Sequence, residues 1–143
     1  MINLSIRTSA LSVLLVFAGS SAVRADEAQS SAVVTPLISR DLTGIPGKEA
    51  VMMTVEYLPG GASRPHRHDA HVFVYVLEGA LLMQVDGQAA ETLTPGQTFY
   101  ENPQDVHRVS ANASATEPVR FLVFIVKDKS SAVTRPVAQE SEK

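Results

Sequence analysis

Cysteine and tryptophan are absent from all 143 residues. Without cysteine there is no disulfide scaffold, thiolate zinc ribbon, iron–sulfur cluster, Cys nucleophile or lipid-modified N-terminal cysteine. Metal or nucleophilic chemistry must therefore use other side chains. Basic charge is scarce as well: 12 Lys+Arg stand against 15 Asp+Glu, for a net charge of −3. A phosphate backbone would lack its main source of affinity, so no nucleic acid partner is expected. Apolar runs are short, and the longest N-terminal one, Ala10 to Gly19, falls below the roughly 20 helical residues a membrane span requires. What is present is a 45% apolar composition, enough for the core of one domain. Histidine is rare but unevenly placed: His66, His68 and His71 fall together, and His107 stands alone.

The first residues read as an address. Arg7 precedes the apolar run, which breaks into Ser20-Ser21-Ala22-Val23-Arg24-Ala25, with small residues at the −3 and −1 positions for cleavage before Asp26. Residues 1–25 are expected to be a secretory signal peptide, leaving no stable membrane anchor and a periplasmic or secreted chain after cleavage near Ala25. A single arginine excludes a twin-arginine signal, so the chain is expected to cross unfolded. Loss of Arg7 and Arg24 makes the mature chain more acidic.

Residues 26–34 read as a flexible arm and 130–143 as a disordered polar tail, bracketing a single domain over 35–129. Within it, short β-branched and aromatic runs predict strands near Thr35–Ser39, Ala50–Leu58, His71–Glu78, Leu81–Val85, Ala89–Leu93, Thr98–Glu101, His107–Ala111 and Val119–Lys127. Turn residues such as Pro59-Gly60-Gly61, Glu78-Gly79, Asp86-Gly87 and Pro95-Gly96 separate them. No sustained helical stripe occurs, so the fold class is all-β, an antiparallel sandwich or barrel. His71 to Leu77 and Phe121 to Val126 are apolar at both parities, which places them centrally or at a subunit interface. A homodimer through that sheet is expected.

His66 and His68, one residue apart, project from the same face of an extended chain, roughly 7 Å apart along it. Two neutral imidazoles so placed suit one metal ion, and His107 from a distant strand could complete the set. Read alone, His66-Arg67-His68 is equally a solvated polar loop, and His107 a hydrogen-bonded strand residue.

Gly60, five residues, His66-Arg67-His68 and Tyr75-Val76-Leu77-Glu78-Gly79 together resemble the first motif of the cupin family. Pro95-Gly96 through Asp105-Val106-His107, followed by Asn112, resembles the second. The likeness covers roughly Gly47 to Lys127 and is to a small single-domain cupin of the quercetin-dioxygenase-like type. It implies an antiparallel jelly-roll β-barrel holding one divalent transition metal through His66, His68, His107 and a glutamate. The motif's glutamate position is, however, occupied by Val72, with His71 beside it. Strand parity puts residue 72 on the face of His66 and His68 and His71 on the opposite one. His71 is a fourth candidate ligand only through a bulge at Asp69-Ala70. In the second motif Asn102 and Gln104 replace the usual proline and glycine.

Smaller signals surround the histidines. Asp105 could orient His107 or belong to an ordinary turn. Tyr100 and Glu101 could serve as acid/base groups or pack across strands, and Arg64 and Arg67 could meet an anion or only water. Imidazole ligands suit Zn, Cu, Fe or Ni; metallation outside the cytoplasm favours Zn or Cu, whereas the family resemblance favours Fe, Mn or Ni. The expected activity is a metal-dependent dioxygenase or isomerase acting on a small organic molecule; the alternative is a non-catalytic barrel that binds a metal or small ligand.

Overall fold

The computed structural model describes residues 32–137. The expected signal peptide, most of the expected arm and the last six residues lie outside the described residues. Eleven strands follow in order: β1 (Ala32–Asp41), β2 (Lys48–Tyr57), β3 (Ala62–Ser63), β4 (His66–Arg67), β5 (Ala70–Glu78), β6 (Leu81–Val85), β7 (Glu91–Leu93), β8 (Thr98–Glu101), β9 (Val106–Asn112), β10 (Val119–Asp128) and β11 (Arg135–Pro136). All pairings among the described strands are antiparallel. One sheet has the order β1-β2-β10-β5-β8; the other runs β11-β4-β9-β6-β7, with β3 also on β9. The expected all-β antiparallel class is what the structure shows.

The two sheets enclose one core because the period-2 alternation of their strands agrees. β5 turns Ala70, Val72, Val74 and Val76 inward, and β10 turns Val119, Phe121, Val123 and Ile125 inward. From the other sheet come Leu81, Met83 and Leu93. Each of the buried Val, Leu, Ile, Met and Phe side chains among them contributes about 1.5–3 kcal/mol through removal from water. β10 is the middle strand of its sheet and β5 lies beside it, as their apolar sequences predict. Their second parity is left open by the described residues: Phe73 and Tyr75 are 46% and 45% exposed, with Phe73 against Tyr100 and Phe124 on the outer face.

Of the tail expected over 130–143, the described residues 130–137 make defined contacts. Arg135 and Pro136 pair with Arg67 and His66, and the Arg135 guanidinium lies 2.8 Å from Asp69. At the other end of that segment, the buried Lys127 ammonium donates to Ser131 O at 2.6 Å. Composition marked the segment as polar; partners supplied by distant residues hold it in place. β3, β4 and β11, two residues each, are too short to leave a periodic signal.

Candidate metal centre

Three histidines meet between the sheets. His66 stands on β4 directly opposite His107 on β9, and His68 follows β4 by one residue. Their ring centroids are 5.1 Å apart for His66–His107 and 4.9 Å for His66–His68. One nitrogen from each can be chosen so that all three lie within 4.8 Å of one another. His66 donates Nδ1–H to Arg64 O at 2.8 Å, and His68 donates Nδ1–H to Val133 O. Each bond fixes the tautomer that leaves Nε2 bare as an acceptor or ligand. Burial holds His66 below the ordinary histidine range, and the nearness of His68 and His107 adds to this, against the opposing effects of Arg64 and Glu101. Its imidazole is thus neutral near pH 7, the form that binds a metal.

His107 is 2% exposed and stacks on Phe99, with centroids 6.0 Å apart. Neither of its ring nitrogens has a hydrogen-bond partner among the described residues. Buried polar atoms are normally paired, because leaving one unpaired costs about 1–3 kcal/mol. Three convergent imidazoles, with both ring nitrogens of buried His107 unpartnered, fit a bound divalent cation.

The remaining sequence candidates separate cleanly. His71 is not in the cluster: no bulge reverses its parity, and it lies exposed on the outer face, 2.7 Å from the Tyr100 hydroxyl. Val72 is inside, as parity required, and has no donor atom. Asp105 does not touch His107; its carboxylate accepts from Asn102 N at 2.8 Å and closes the Asn102–Asp105 turn. Within that turn Gln104 has φ of 97°, which explains why glycine is the usual residue there. Arg67 and Arg135 both point toward Asp69 at the rim.

Glu101, by contrast, gains importance. It is 2% exposed, with Oε1 3.2 Å from His107 Nδ1 and Oε2 3.9 Å from His68 Nε2. The sequence held one signal for this: in β8, residues 99 and 101 share a parity, and Phe99 is apolar. What it could not show is that this parity faces the histidines.

The histidines and Glu101 open onto a cavity of about 330 Å³. Its other walls are mostly apolar, including Met53, Val55, Val74, Met83, Phe121 and Ile125. Tyr57 places a hydroxyl in the wall, held at 2.7 Å by Ser63 and 2.8 Å by Ser110. Burial raises the Tyr57 phenol above its ordinary range, so it stays protonated. The C-terminal segment contributes Val133, Thr134 and Pro136.

Comparison with known proteins agrees with this architecture. A cupin 2 domain-containing protein from Halorhodospira halophila superposes with a TM-score of 0.59 at 26% identity, covering 81% of this chain and 77% of that one. The polyketide cyclase RemF from Streptomyces resistomycificus gives 0.59 at 23% identity, over 77% and 73%. The Cupin_2 domain of an XRE family transcriptional regulator from Enterobacter cloacae gives 0.51 at 28%, over 66% and 95%. Enzymes and non-enzymes thus share the fold, so the fold alone does not assign an activity. No curated protein matches the chain significantly. The Cupin_2 family model for the cupin domain matches residues 53–125, just over half of the chain, and the protein belongs to the cupin family.

Proposed function

We propose that this cupin is a metal-dependent enzyme of the dioxygenase or isomerase class, acting on a small, largely apolar organic molecule with an oxygen that can approach the histidines. One observation carries the reading: the bare Nε2 atoms of His66 and His68 and the unpartnered ring of His107 face a mostly apolar cavity of about 330 Å³. That volume suits a small molecule and is at the lower end for ligand sites. A bound divalent metal would supply Lewis acidity and a fixed point of attachment for an enol, enolate or carboxylate oxygen. His66 and His68, oriented by Arg64 O and Val133 O, hold the metal-binding geometry before the ligand arrives. The apolar walls exclude water from the bound molecule, and the protonated Tyr57 hydroxyl is held within them by hydrogen bonds with Ser63 and Ser110. In this proposal the chain works outside the cytoplasm after loss of residues 1–25, with zinc or copper favoured by availability and by imidazole donors.

A non-catalytic metal or ligand carrier is the second reading. It is favoured by the engagement of Tyr57 with Ser63 and Ser110, which leaves few free proton-transfer groups in the wall. Metal analysis of the purified protein beside His66→Ala/His68→Ala tests what the two share. We expect one metal per chain in the first and at least a tenfold lower content in the second; equal content would overturn both. Oxygen uptake and product analysis across 1,3-diketones, flavonols and enediols then separate them. Turnover by the metallated protein is expected for an enzyme, and none across the panel would favour the carrier.

A further inference from the structure

The metal reading leaves one side chain unexplained. Glu101 is a carboxyl group enclosed by protein, and its Oε2 has no hydrogen-bond partner among the described residues. Enclosing such a group without compensation is costly, and natural proteins resolve it with hydrogen bonds, an opposite charge or a metal. Among the described residues the ion-pair contacts of Glu101 within 4 Å are to the ring nitrogens of His68 and His107. Two donors bound about 2.1 Å from one ion lie about 3.0–3.4 Å from each other in octahedral or tetrahedral geometry. The 3.2 Å from Oε1 to His107 is within that interval, and the 3.9 Å from Oε2 to His68 is just beyond it.

Register explains how the carboxyl group comes to be there. Val72 on β5 and Glu101 on β8 are direct antiparallel partners, and both face inward. Their Cβ atoms are expected about 4.5–5.5 Å apart, close enough for one long side chain to serve the space in front of the other. Val72 is the position at which the first motif would carry its glutamate. We propose that Glu101 is the fourth protein ligand of the metal, and that this chain delivers its carboxylate from β8 instead of β5. The site is then three imidazoles and one carboxylate, with the histidines from one sheet and the carboxylate from the other. Metal binding thereby ties the two sheets together at the cavity. The proposal rests on the metal reading of the histidine cluster.

Cobalt(II) provides a probe whose visible spectrum reports its ligands directly. The purified protein, Glu101→Gln, the exchange variant Val72→Glu/Glu101→Val and His66→Ala/His68→Ala would be titrated with Co(II) against a competing chelator. Expected results are one Co(II) per wild-type chain and a loss of more than 100-fold in affinity for Glu101→Gln, with a shifted d–d spectrum. That loss exceeds the 10–100-fold typical of a group that only supports a ligand. Affinity in the exchange variant is expected to return to within about tenfold of wild type. Thermal melting without metal checks that the variants fold, and Glu101→Gln should melt no lower than wild type because it removes an enclosed carboxylate whose Oε2 has no hydrogen bond. A loss below 100-fold with an unchanged spectrum would make Glu101 a supporting group and overturn the proposal. An exchange variant as weak as Glu101→Gln would overturn the claim that the carboxylate has moved between paired positions. Wild type that binds no better than His66→Ala/His68→Ala would remove the metal reading itself, and this inference with it.

Discussion

The His71 Nδ1 and the Tyr100 hydroxyl lie 2.7 Å apart on the outer face of the five-stranded sheet, their rings nearly parallel at 12° and 6.1 Å between centroids. Both residues point away from the cavity because each is one step out of phase with an inward neighbour, Val72 and Glu101. The histidine beside the motif position is therefore occupied with cross-strand packing.

His71→Ala should leave metal affinity within about twofold of wild type, since none of the cluster's geometry passes through it. Loss of an exposed cross-strand bond costs no more than about 1 kcal/mol. Metal titration and thermal melting of the same preparation check both parts. A tenfold weaker affinity would contradict the outward placement.

Gly79 ends the first motif for a steric reason. Its φ is 79°, and a Cβ there would meet Pro118 O at 2.3 Å and Val119 Cα at 2.8 Å. Both are backbone atoms that cannot rotate aside. Gly79→Ala should destabilise the fold by at least about 1–3 kcal/mol from backbone strain, with the clash adding to it. Chemical denaturation is the measurement; a change under 0.5 kcal/mol would show that the β5–β6 turn relaxes freely.

Gln104 presents the opposite case, a non-glycine residue at φ of 97° in the loop that leads to His107. Gln104→Gly relieves that conformation and is expected to raise stability by about 1 kcal/mol, the left-handed cost for L residues less the entropy of glycine. Metal affinity should not change, because Gln104 contributes only a backbone contact, its N–H to His68 O at 3.4 Å. Denaturation curves showing a loss of stability would contradict this reading.

Acid should weaken the barrel at the end opposite the turn of Gly79. Lys127 lies 2.6 Å from Glu49, and Ser39 donates to the same carboxylate at 3.1 Å. The Lys127 hydrogen bond, followed by that of Ser39, holds the Glu49 carboxyl below the ordinary carboxylate range. A lowered folded value means that the stabilisation is complete above the unfolded value of about 4.3 and is lost as pH falls through the folded one. Wild type should therefore lose stability more steeply than Glu49→Gln below about pH 4.3, as read from melting temperature against pH. Parallel curves for the two proteins would show that the pair contributes nothing to the acid response.

Several features of this protein were determined by the sequence alone. Alternating apolar residues and regularly spaced turn residues specify short antiparallel strands, because a strand exposes its two faces at period 2 whatever its neighbours are. The same parity puts Val72 with His66 and His68, and His71 away from them, which the structure bears out. Tertiary structure decided what depends on pairing between distant strands. The β4–β9 register brings His66 opposite His107, and the β5–β8 register brings Glu101 opposite Val72. Sequence spacing carries no information on which strand lies beside which, so it left Glu101 between an acid/base role and cross-strand packing, and only the fold made it the neighbour of two histidines. The C-terminal segment shows the same limit: its polar composition says nothing of Asp69 or His68, which hold Arg135 and Val133 O and draw the segment over the cavity. Periodicity is a local property and is legible in one chain; register and convergence are properties of the two packed sheets, which only tertiary packing selects.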